Sequence, residues 1–521
     1  MLFSFLFLIC ALFGCQKNPP ASSATQVSIN VIDEPQGLDP RKVRDLSGST
    51  IAKMLFEGLT RINAQDVPEL ALAEAVDLAA DLKTYTFHLR KSTWSNGDPV
   101  TAHDFVYAWK SALSPLFPSD TAFLLYGIKN AKAAKEGKVA LDEVGIAALN
   151  DSTLQVHLEN PAPYFLELLA FPIFFPVNQK IDETNPQWAL DTAQFVGNGP
   201  FRWKEWKHQD HLTLEKNPAY WDAQAVHLDQ LVLCMVKEET ELSMFEKKEL
   251  DWAGSPLSIL PIEALGALRK SAQLKTKEIL GTTFIRVNTA RAPLDQPELR
   301  RAFALAMNRG LIVEHVTQGN QIPATGLVPL SLKVQSAPYF ADGDVNSAKS
   351  LLQQCSLSEM RPIVLTYRAT ERNHMMAQAI QEQWRAALGI QVQLESLEGK
   401  VYFDRVSKQN FDLALGNWMA DFADPINFLE VFKYDRGSNN THWENPAYAA
   451  LLDQSALEID PEARRQLFAQ AEKILIEEMP IIPIFYSTML YVNQPQLKDV
   501  VLSSMGGIDF KWASSSKGEI K

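Results

Sequence analysis

Residues 85–109 read YTFHLRKSTWSNGDPVTAHDFVYAW and set a strand pattern directly before a helix pattern. In residues 85–89 apolar and polar side chains alternate, which is the period of a half-buried strand. Thr101, followed three residues later by Asp104, is a capping-box pattern that predicts the start of a helix. Beyond it, apolar residues at helical spacing predict one buried face, formed by Phe105, Trp109, Ala112 and Leu113. A strand that leads into a helix is typical of α/β proteins.

Strand and helix patterns continue to alternate along the chain. Residues 153–158 show a second period-2 pattern. Gln296-Pro297 places a proline in the first turn of a predicted helix, which Gly310 would end. Asp460-Pro461 opens another predicted helix, which Pro480 ends. Because the sequence has no repeat period, these patterns predict an α/β fold and not a solenoid.

The composition is that of a multidomain globular protein. The chain has 521 residues, 46% of them hydrophobic and 21% charged, which at ordinary domain sizes predicts roughly two to four domains. The formal net charge is −13. Nucleic-acid binding needs a basic surface that neutralises phosphates, so we expect no nucleic-acid partner. Four cysteines without a CxxC pair indicate neither a disulfide scaffold nor a zinc site.

The usual motifs of enzymes and cofactor sites are missing from the sequence. It contains no GxxxxGK[ST] loop, no GxGxxG turn, no HExxH helix and no GxSxG elbow. The one close histidine pair, His208 and His211, lies among polar residues and is interpreted as a solvated surface pair. The sequence therefore predicts a protein without a metal, without a cofactor and without a catalytic site.

Residues 1–15 have the pattern of an export signal. The first fourteen are almost entirely apolar, but they are fewer than the roughly 20 residues that cross a bilayer as a helix. They end in the sequence LFGC, which resembles the bacterial lipobox, although no Lys or Arg precedes Lys17. The resemblance implies that Cys15 is lipidated, with residues 16–25 as a flexible tether. We therefore expect a periplasmic or cell-surface protein that is lipid-anchored to the membrane.

Residues 416–425, GNWMADFADP, follow an apolar run that is typical of a buried strand. Ligand groups are often placed where a strand of an α/β fold ends in a loop. Asp424 before Pro425 fits a helix N-cap followed by a first-turn proline, which gives this carboxylate a structural role. Asp421, close to Trp418, has no such explanation and is the candidate binding residue.

Several blocks of the sequence, taken in order, are close to the signature of a known family. Residues 85–109 form the longest block. The shorter ones are residues 37–40 (GLDP), 55–59 (LFEGL), 197–201 (GNGPF), 217–221 (NPAYW), 300–304 (RRAFA) and 418–421 (WMAD). On these blocks the chain is identified as a member of extracellular solute-binding family 5, the oligopeptide- and dipeptide-binding proteins of bacterial ABC importers.

The resemblance implies an α/β architecture of two lobes that close on a ligand, the large three-domain type of the periplasmic-binding-protein fold. Lobe 1 would join a discontinuous domain, residues 16–56, 181–280 and 488–521, to an inserted domain, residues 57–180. Lobe 2 would be residues 281–487. The chain would cross between the lobes near Gly281 and Ser487.

The resemblance also implies a ligand site. The carboxylate of Asp421 would pair with the free α-ammonium of a peptide, a charge-assisted bond that contributes about 1.5–3 kcal/mol. The peptide backbone would add as a strand to main chain near Leu46, so that binding tolerates many side chains. Further residues would line the cleft, namely Trp418, Met419, Tyr126 and Tyr486.

The resemblance defines the partners of the peptide's C-terminal carboxylate less closely. Arg291 and His374 are basic candidates, and each has solvated surface charge as an equal alternative. The arginine that the family uses for short peptides is replaced here by Leu415, which argues against a preference for tripeptides.

The implied function is that of a monomeric binding protein, not an enzyme, that delivers oligopeptides to the permease subunits of an ABC importer. Two alternatives stay open. The same fold can bind another cargo, such as a cell-wall peptide, glutathione, a metal chelate or haem. A cell-envelope hydrolase or chaperone is the other, and it would need a catalytic constellation that the sequence does not show.

Overall fold

The computed structural model describes residues 25–32, 34–35, 37–356 and 361–516. Within this part of the chain, strands and helices alternate and build two four-stranded sheets, one seven-stranded sheet and three two-stranded ribbons. The predicted α/β class is confirmed. The signal and Cys15 lie outside the described residues.

The strands, in chain order, are β1 Gln26–Asn30, β2 Thr60–Ile62, β3 Pro68–Leu70, β4 Ala73–Leu78, β5 Thr84–Leu89, β6 Ile146–Asn150, β7 Thr153–His157, β8 Phe201–Lys207, β9 His211–Lys216, β10 Gln230–Cys234, β11 Trp252–Gly254, β12 Lys275–Val287, β13 Ile322–Pro323, β14 Ile363–Arg368, β15 Val392–Leu397, β16 Leu413–Met419, β17 Ile481–Asn493, β18 Leu497–Lys498, β19 Val501–Leu502, β20 Ile508–Asp509 and β21 Ser514–Ser515.

The α-helices, in chain order, are α1 Leu46–Leu55, α2 Ala102–Leu113, α3 Ala131–Lys135, α4 Phe165–Leu168, α5 Gln179–Thr184, α6 Glu238–Glu246, α7 Ile262–Lys270, α8 Pro297–Leu305, α9 Arg309–Ile312, α10 Val345–Leu352, α11 Glu371–Leu388, α12 Gly399–Ser407, α13 Ile426–Leu429, α14 Pro446–Leu457 and α15 Pro461–Glu478. None of the helices in the described ranges has the length and apolar character needed to span a bilayer.

Residues 85–109 form the strand and helix that their pattern predicts. Strand β5 lies in an antiparallel sheet of order β4-β5-β7-β6, and Phe87 is fully buried there. At the start of α2, the Thr101 N–H donates to Asp104 Oδ2 at 2.8 Å, so the predicted capping box is confirmed. Trp109 is fully buried and donates from Nε1 to the Phe174 carbonyl at 2.9 Å. These contacts pack α2 against the residues that follow β7.

The second four-stranded sheet has the order β1-β10-β9-β8, with β1 parallel to β10. One continuous apolar core joins it to the sheet of order β4-β5-β7-β6. His208 lies in the turn between β8 and β9, and its side chain is 76% exposed, as predicted for a surface residue. His211 is the first residue of β9, and its side chain is only 26% exposed, so the prediction of a solvated pair is confirmed for His208 alone.

The seven-stranded sheet has the order β11-β17-β12-β16-β14-β15, with β13 paired to β17. Strands β12 and β17 are 13 residues each and pair antiparallel along most of their length. Their register breaks where residues 279–281 face the single residue Ser487. A Cβ at Gly281 would overlap the sulfur of Met419, so the close approach of β16 requires glycine there. The crossings predicted at Gly281 and Ser487 fall in this break, while the domain limits stay a prediction.

Two predicted helices differ in how well their ends agree with the pattern. Asp460 caps α15 as predicted, with its carboxylate accepting from the Ala463 N–H at 2.7 Å. Helix α8 begins at Pro297 as predicted but ends at Leu305, before Gly310. Asn308 starts a new helical turn by accepting from the Leu311 N–H, so Gly310 lies inside α9 and is not a stop.

Candidate functional site

A cleft of about 760 Å³ separates residues 123–168 from the loop that follows β16. The 3₁₀ helix Ala122–Gly127 and residues 158–168 form much of one wall. Residues 418–438, with parts of α14 and α15, form the other. Three of the predicted ligand residues line this cleft, namely Tyr126, Trp418 and Asp421. Met419, between the last two in the chain, contacts Gly281 across the sheet.

Asp421 lies two residues beyond the end of β16, on a loop held by Asn427. The Asn427 Oδ1 accepts from Trp418 Nε1 at 2.9 Å and from the Asp421 N–H at 3.4 Å. One amide side chain therefore fixes both the indole and the backbone of the candidate carboxylate. Burial raises the pKa of Asp421, and a hydrogen bond from the Asn427 side chain acts against that shift.

No basic side chain in the described ranges forms an ion pair with Asp421. The neighbouring acid behaves differently, because Arg464 donates to both oxygens of Asp424, at 2.6 and 3.0 Å. A half-buried carboxylate that lacks a cation is costly unless a ligand supplies one. Asp421 is thus arranged to accept a positively charged group.

Asp424 corrects the sequence-based interpretation of this loop. We predicted that it caps a helix, and its Oδ1 does accept from the Ile426 N–H at 3.0 Å. The helix it precedes, α13, is a single turn of four residues, and Pro425 occupies its N-cap position. Asp424 also forms an ion pair with Arg464 of α15, 40 residues away, which a local pattern cannot show.

One edge of β16 is unpaired next to Asp421. On one side, β12 pairs with all of Leu413–Met419. On the other side, β14 pairs only with Leu413 and Ala414. In the described part of the chain, no strand pairs with residues 415–419 on that side. The Leu415 carbonyl accepts from the Tyr402 hydroxyl at 2.5 Å. Beyond it, the N–H and C=O groups of this edge are a template for an added strand.

Two contacts join the inserted domain to the loop directly after Asp421. The ring of Tyr164 stacks on that of Phe422, with centroids 3.9 Å apart and planes 12° from parallel. The Ala423 N–H donates to Glu167 Oε2 at 2.8 Å. Burial raises the pKa of Glu167, and the Ala423 hydrogen bond opposes the shift. We call these four residues the clasp, because they connect the two walls of the cleft.

The structure does not bring two other predicted residues to the cleft lining. Leu46 is the first residue of α1 and is 39% exposed. Tyr486 is buried in the seven-stranded sheet, and its hydroxyl accepts from Gln335 Nε2 at 2.7 Å. Tyr486 lines a separate small cavity next to the break between β12 and β17.

The two basic candidates for a ligand carboxylate also lie outside the cleft. Arg291 binds Asp412 at 3.2 Å and Asn410 at 2.8 Å, just before β16 begins. Asp421 follows the opposite end of that strand, nine positions beyond Asp412, which is about 30 Å in extended chain at the usual rise per residue. His374 is an exposed residue of α11, and the hydroxyl of Tyr367 lies 2.6 Å from its Nδ1.

Sequence reasoning missed the residues that position Asp421 and close the cleft around it. These are Asn427 and the clasp residues Tyr164, Glu167, Phe422 and Ala423. Only Phe422, next to Asp421, carried a signal, as an aromatic residue in a polar loop. Glu167 and Ala423 are 256 positions apart, and no local pattern links them.

Comparisons with known proteins agree with this geometry. The model of the bacterial extracellular solute-binding proteins, family 5 (middle), matches residues 67–440. The oligopeptide-binding protein OppA of Bacillus subtilis (strain 168) is 41% identical over 98% of this chain and 97% of its own.

Solved structures of such proteins superpose on nearly the whole chain. The open, unliganded form of MppA, a periplasmic murein tripeptide binding protein, gives a TM-score of 0.82 at 28% identity, covering 95% of this chain and 98% of MppA. Haemophilus influenzae OppA, in complex with the peptide RPPGFSPFR, gives 0.78 at 28% identity, covering 95% and 99%.

Proposed function

The chain belongs to family 5 of the bacterial extracellular solute-binding proteins, and on that premise we propose that it binds oligopeptides outside the cytoplasm and delivers them to the permease of an ABC importer. The observation that carries the proposal is Asp421, which lines the cleft without a cationic partner in the described residues, beside the unpaired edge of β16. A peptide with a free amino terminus supplies an ammonium for the carboxylate and a backbone for the edge.

The two kinds of contact have different consequences for selectivity. The Asp421–ammonium pair fixes one end of the peptide, because an ammonium withdrawn from water needs a counter-charge. Pairing with β16 uses only main-chain groups, so it does not depend on the peptide's side chains. Trp418 and Tyr126 add apolar walls from opposite sides of the cleft. The relatives named above bind peptides by their printed names, which supports the same cargo class here.

Calorimetry with matched peptides tests the ammonium pairing. We expect a free pentapeptide to bind the purified protein at least about tenfold more tightly than its N-acetylated form, because acetylation removes the charge that faces Asp421. Equal affinities would reject the pairing. Binding of neither peptide would reject the oligopeptide function.

Native mass spectrometry of protein purified from cells tests the cargo class directly. We expect the mass of one monomer with retained peptide masses. A retained chelate, haem or glutathione mass would favour the alternative cargoes. Retained muropeptide masses would place the chain with the murein tripeptide binding protein that it resembles.

We also propose that the protein is held at the membrane by lipid on Cys15, in support of which stands the LFGC sequence. Metabolic labelling with a fatty acid, followed by fractionation, tests this. The Cys15→Ser variant should lose both the label and the membrane association. Cys355→Ser is the matched control and should keep both, since Cys355 lies far along the chain in the region of α10. An unlabelled wild-type protein would reject the anchor.

A further inference from the structure

Arg286 is a buried arginine without an acidic partner. It lies in β12 and is 8% exposed. Within the described ranges no carboxylate forms an ion pair with it, and its Nε has no hydrogen-bond partner. The ring of Phe284 lies 4.9 Å from its guanidinium carbon. Burial lowers the pKa of Arg286, and only Tyr402 acts in the other direction. A buried charge with so little compensation is destabilising in a structural role.

The other buried arginines show what a structural role looks like in this chain. Arg41 pairs with Asp39 and Asp182, and Arg61 pairs with Glu57 and Asp509. Arg309 pairs with Asp342 and donates to backbone carbonyls, although its Nη2 has no partner, and Arg300 donates to backbone carbonyls. Arg286 departs from this pattern.

The acid that shares a row of the sheet with Arg286 is already engaged. Arg286 is opposite Ala414, which is opposite Thr366, which is opposite Glu395. Glu395 is therefore three strands away, about 14 Å at the usual strand spacing. It accepts from Arg405 at 2.6 Å and from Thr366 at 3.0 Å. The protein offers Arg286 no anion from this direction.

The guanidinium lies against the part of β16 that leads into the cleft. A Cβ at Gly416 would overlap Nη1 of Arg286, so the missing side chain makes the space for it. Gly416 and Trp418 point to the same face of the sheet and are about 7 Å apart. Trp418 lines the cleft, and Gly416 belongs to the unpaired edge. A ligand that adds to this edge passes beside Arg286.

We propose that Arg286 binds a carboxylate of the ligand and thereby selects peptides that carry an anionic group at this distance from their amino terminus. The inference rests on the peptide-binding function proposed above. Asp421 is five positions beyond Gly416, about 17 Å in extended chain. This matches the C-terminal carboxylate of a peptide of roughly four or five residues, or an acidic side chain inside a longer one. The planar guanidinium suits either carboxylate, because it donates two parallel hydrogen bonds.

The source of the carboxylate can be identified with the wild-type protein alone. Calorimetry would compare a neutral pentapeptide as free acid and as C-terminal amide, and a longer amidated peptide with an internal Glu or Gln. We expect the loss of the bound carboxylate to weaken binding about 10- to 100-fold. A loss on amidation identifies the terminus, and a loss on Glu-to-Gln exchange identifies the side chain. Equal binding within both pairs would overturn the proposal.

The variant Arg286→Met assigns the effect to this residue. It should bind the peptide with the carboxylate and its neutral counterpart equally well. Its unfolding temperature should be unchanged or higher, because an unpaired buried charge is gone. Arg385→Met is the matched control, since Arg385 is a 59% exposed arginine of the same lobe, and it should keep the discrimination. If Arg286→Met still binds the peptide with the carboxylate more tightly than its neutral counterpart, the proposal is overturned.

The outcomes separate this inference from the function on which it rests. If free peptides bind better than N-acetylated ones but show no preference for a carboxylate, only the role of Arg286 fails. If no peptide binds at all, the proposed function fails.

Discussion

At the residue scale, the charge state of Asp421 should control the affinity for peptides. Burial raises the pKa of this carboxyl above its usual value. As the pH falls through that raised pKa, the carboxylate gains a proton and no longer attracts an ammonium. Above about pH 8 the α-amine of the peptide loses its proton instead. We therefore expect affinity, measured by calorimetry across pH, to decline at both ends.

Asp421→Asn should remove the acidic decline and weaken binding of free peptides about 10- to 100-fold, the effect of one charge-assisted bond. Asp404→Asn is the control, because Asp404 is an exposed carboxylate of α12 that pairs with Lys408. An unchanged affinity in Asp421→Asn would remove this residue from the site.

The sequence identified Asp421 by elimination and by its motif. It did not single out Arg286 as the arginine proposed to bind the carboxylate of the ligand. Arg286 and Arg291 are five residues apart, and nothing in the local pattern separates them. The structure does so, because β12 ends at Val287. Arg286 is thus held inside the sheet, whereas Arg291 lies beyond it next to Asp412.

At the element scale, one buried glutamate ties α15 to the segment that follows β13. Glu472 is fully buried, and its Oε1 accepts from the N–H groups of Leu327 and Val328 at 2.7 and 2.8 Å. Burial raises its pKa to about 7, although these bonds and one from Tyr339 oppose the shift. The carboxyl binds its proton more tightly in the folded protein than in the unfolded chain. Its contribution to stability is therefore complete below about pH 4.5 and is lost as the pH rises through 7.

Glu472→Gln should abolish that dependence. The amide keeps the acceptor for both N–H groups and cannot ionise, so its stability relative to wild type should rise between pH 4.5 and 7, by on the order of 3 kcal/mol. Urea unfolding at several pH values measures this. Glu477→Gln, at an exposed position of the same helix, should differ from wild type by the same amount at every pH. If the free energy of unfolding of Glu472→Gln differed from that of wild type by the same amount at every pH, the prediction would be contradicted.

Elements with strong local signals could be predicted, and those set by distant contacts could not. The caps of α2 and α15 use side chains within three residues, so their patterns were sufficient. The end of α8 depends on a new cap at Asn308, which competes with the signal of Gly310. The role of Asp424 depends on Arg464, and only the fold brings these two together.

At the scale of the whole molecule, the clasp links the two walls of the cleft and should slow its opening. Phe422→Ala removes the stack on Tyr164, and an aromatic pair contributes about 0.5–1.5 kcal/mol beyond its buried area. We expect peptide release, followed by stopped-flow fluorescence, to become roughly 2- to 12-fold faster, with a smaller change in the association rate.

Phe403→Ala is the control for the clasp, because Phe403 is a 60% exposed aromatic residue of α12. It should release peptide at the wild-type rate. Equal release rates for Phe422→Ala and wild type would show that the stack does not hold the cleft shut.

The paired passage of β12 and β17 through the register break restricts how the halves can move. Two strands bonded side by side form a ribbon that flexes across its flat face and resists shear and twist within its plane. A single connecting segment would let one half rotate about it in any direction, whereas two hydrogen-bonded strands allow mainly one bending motion. Each swing should then return Asp421 to the same place opposite Tyr126, so that capture of cargo repeats along one path and not through a random search.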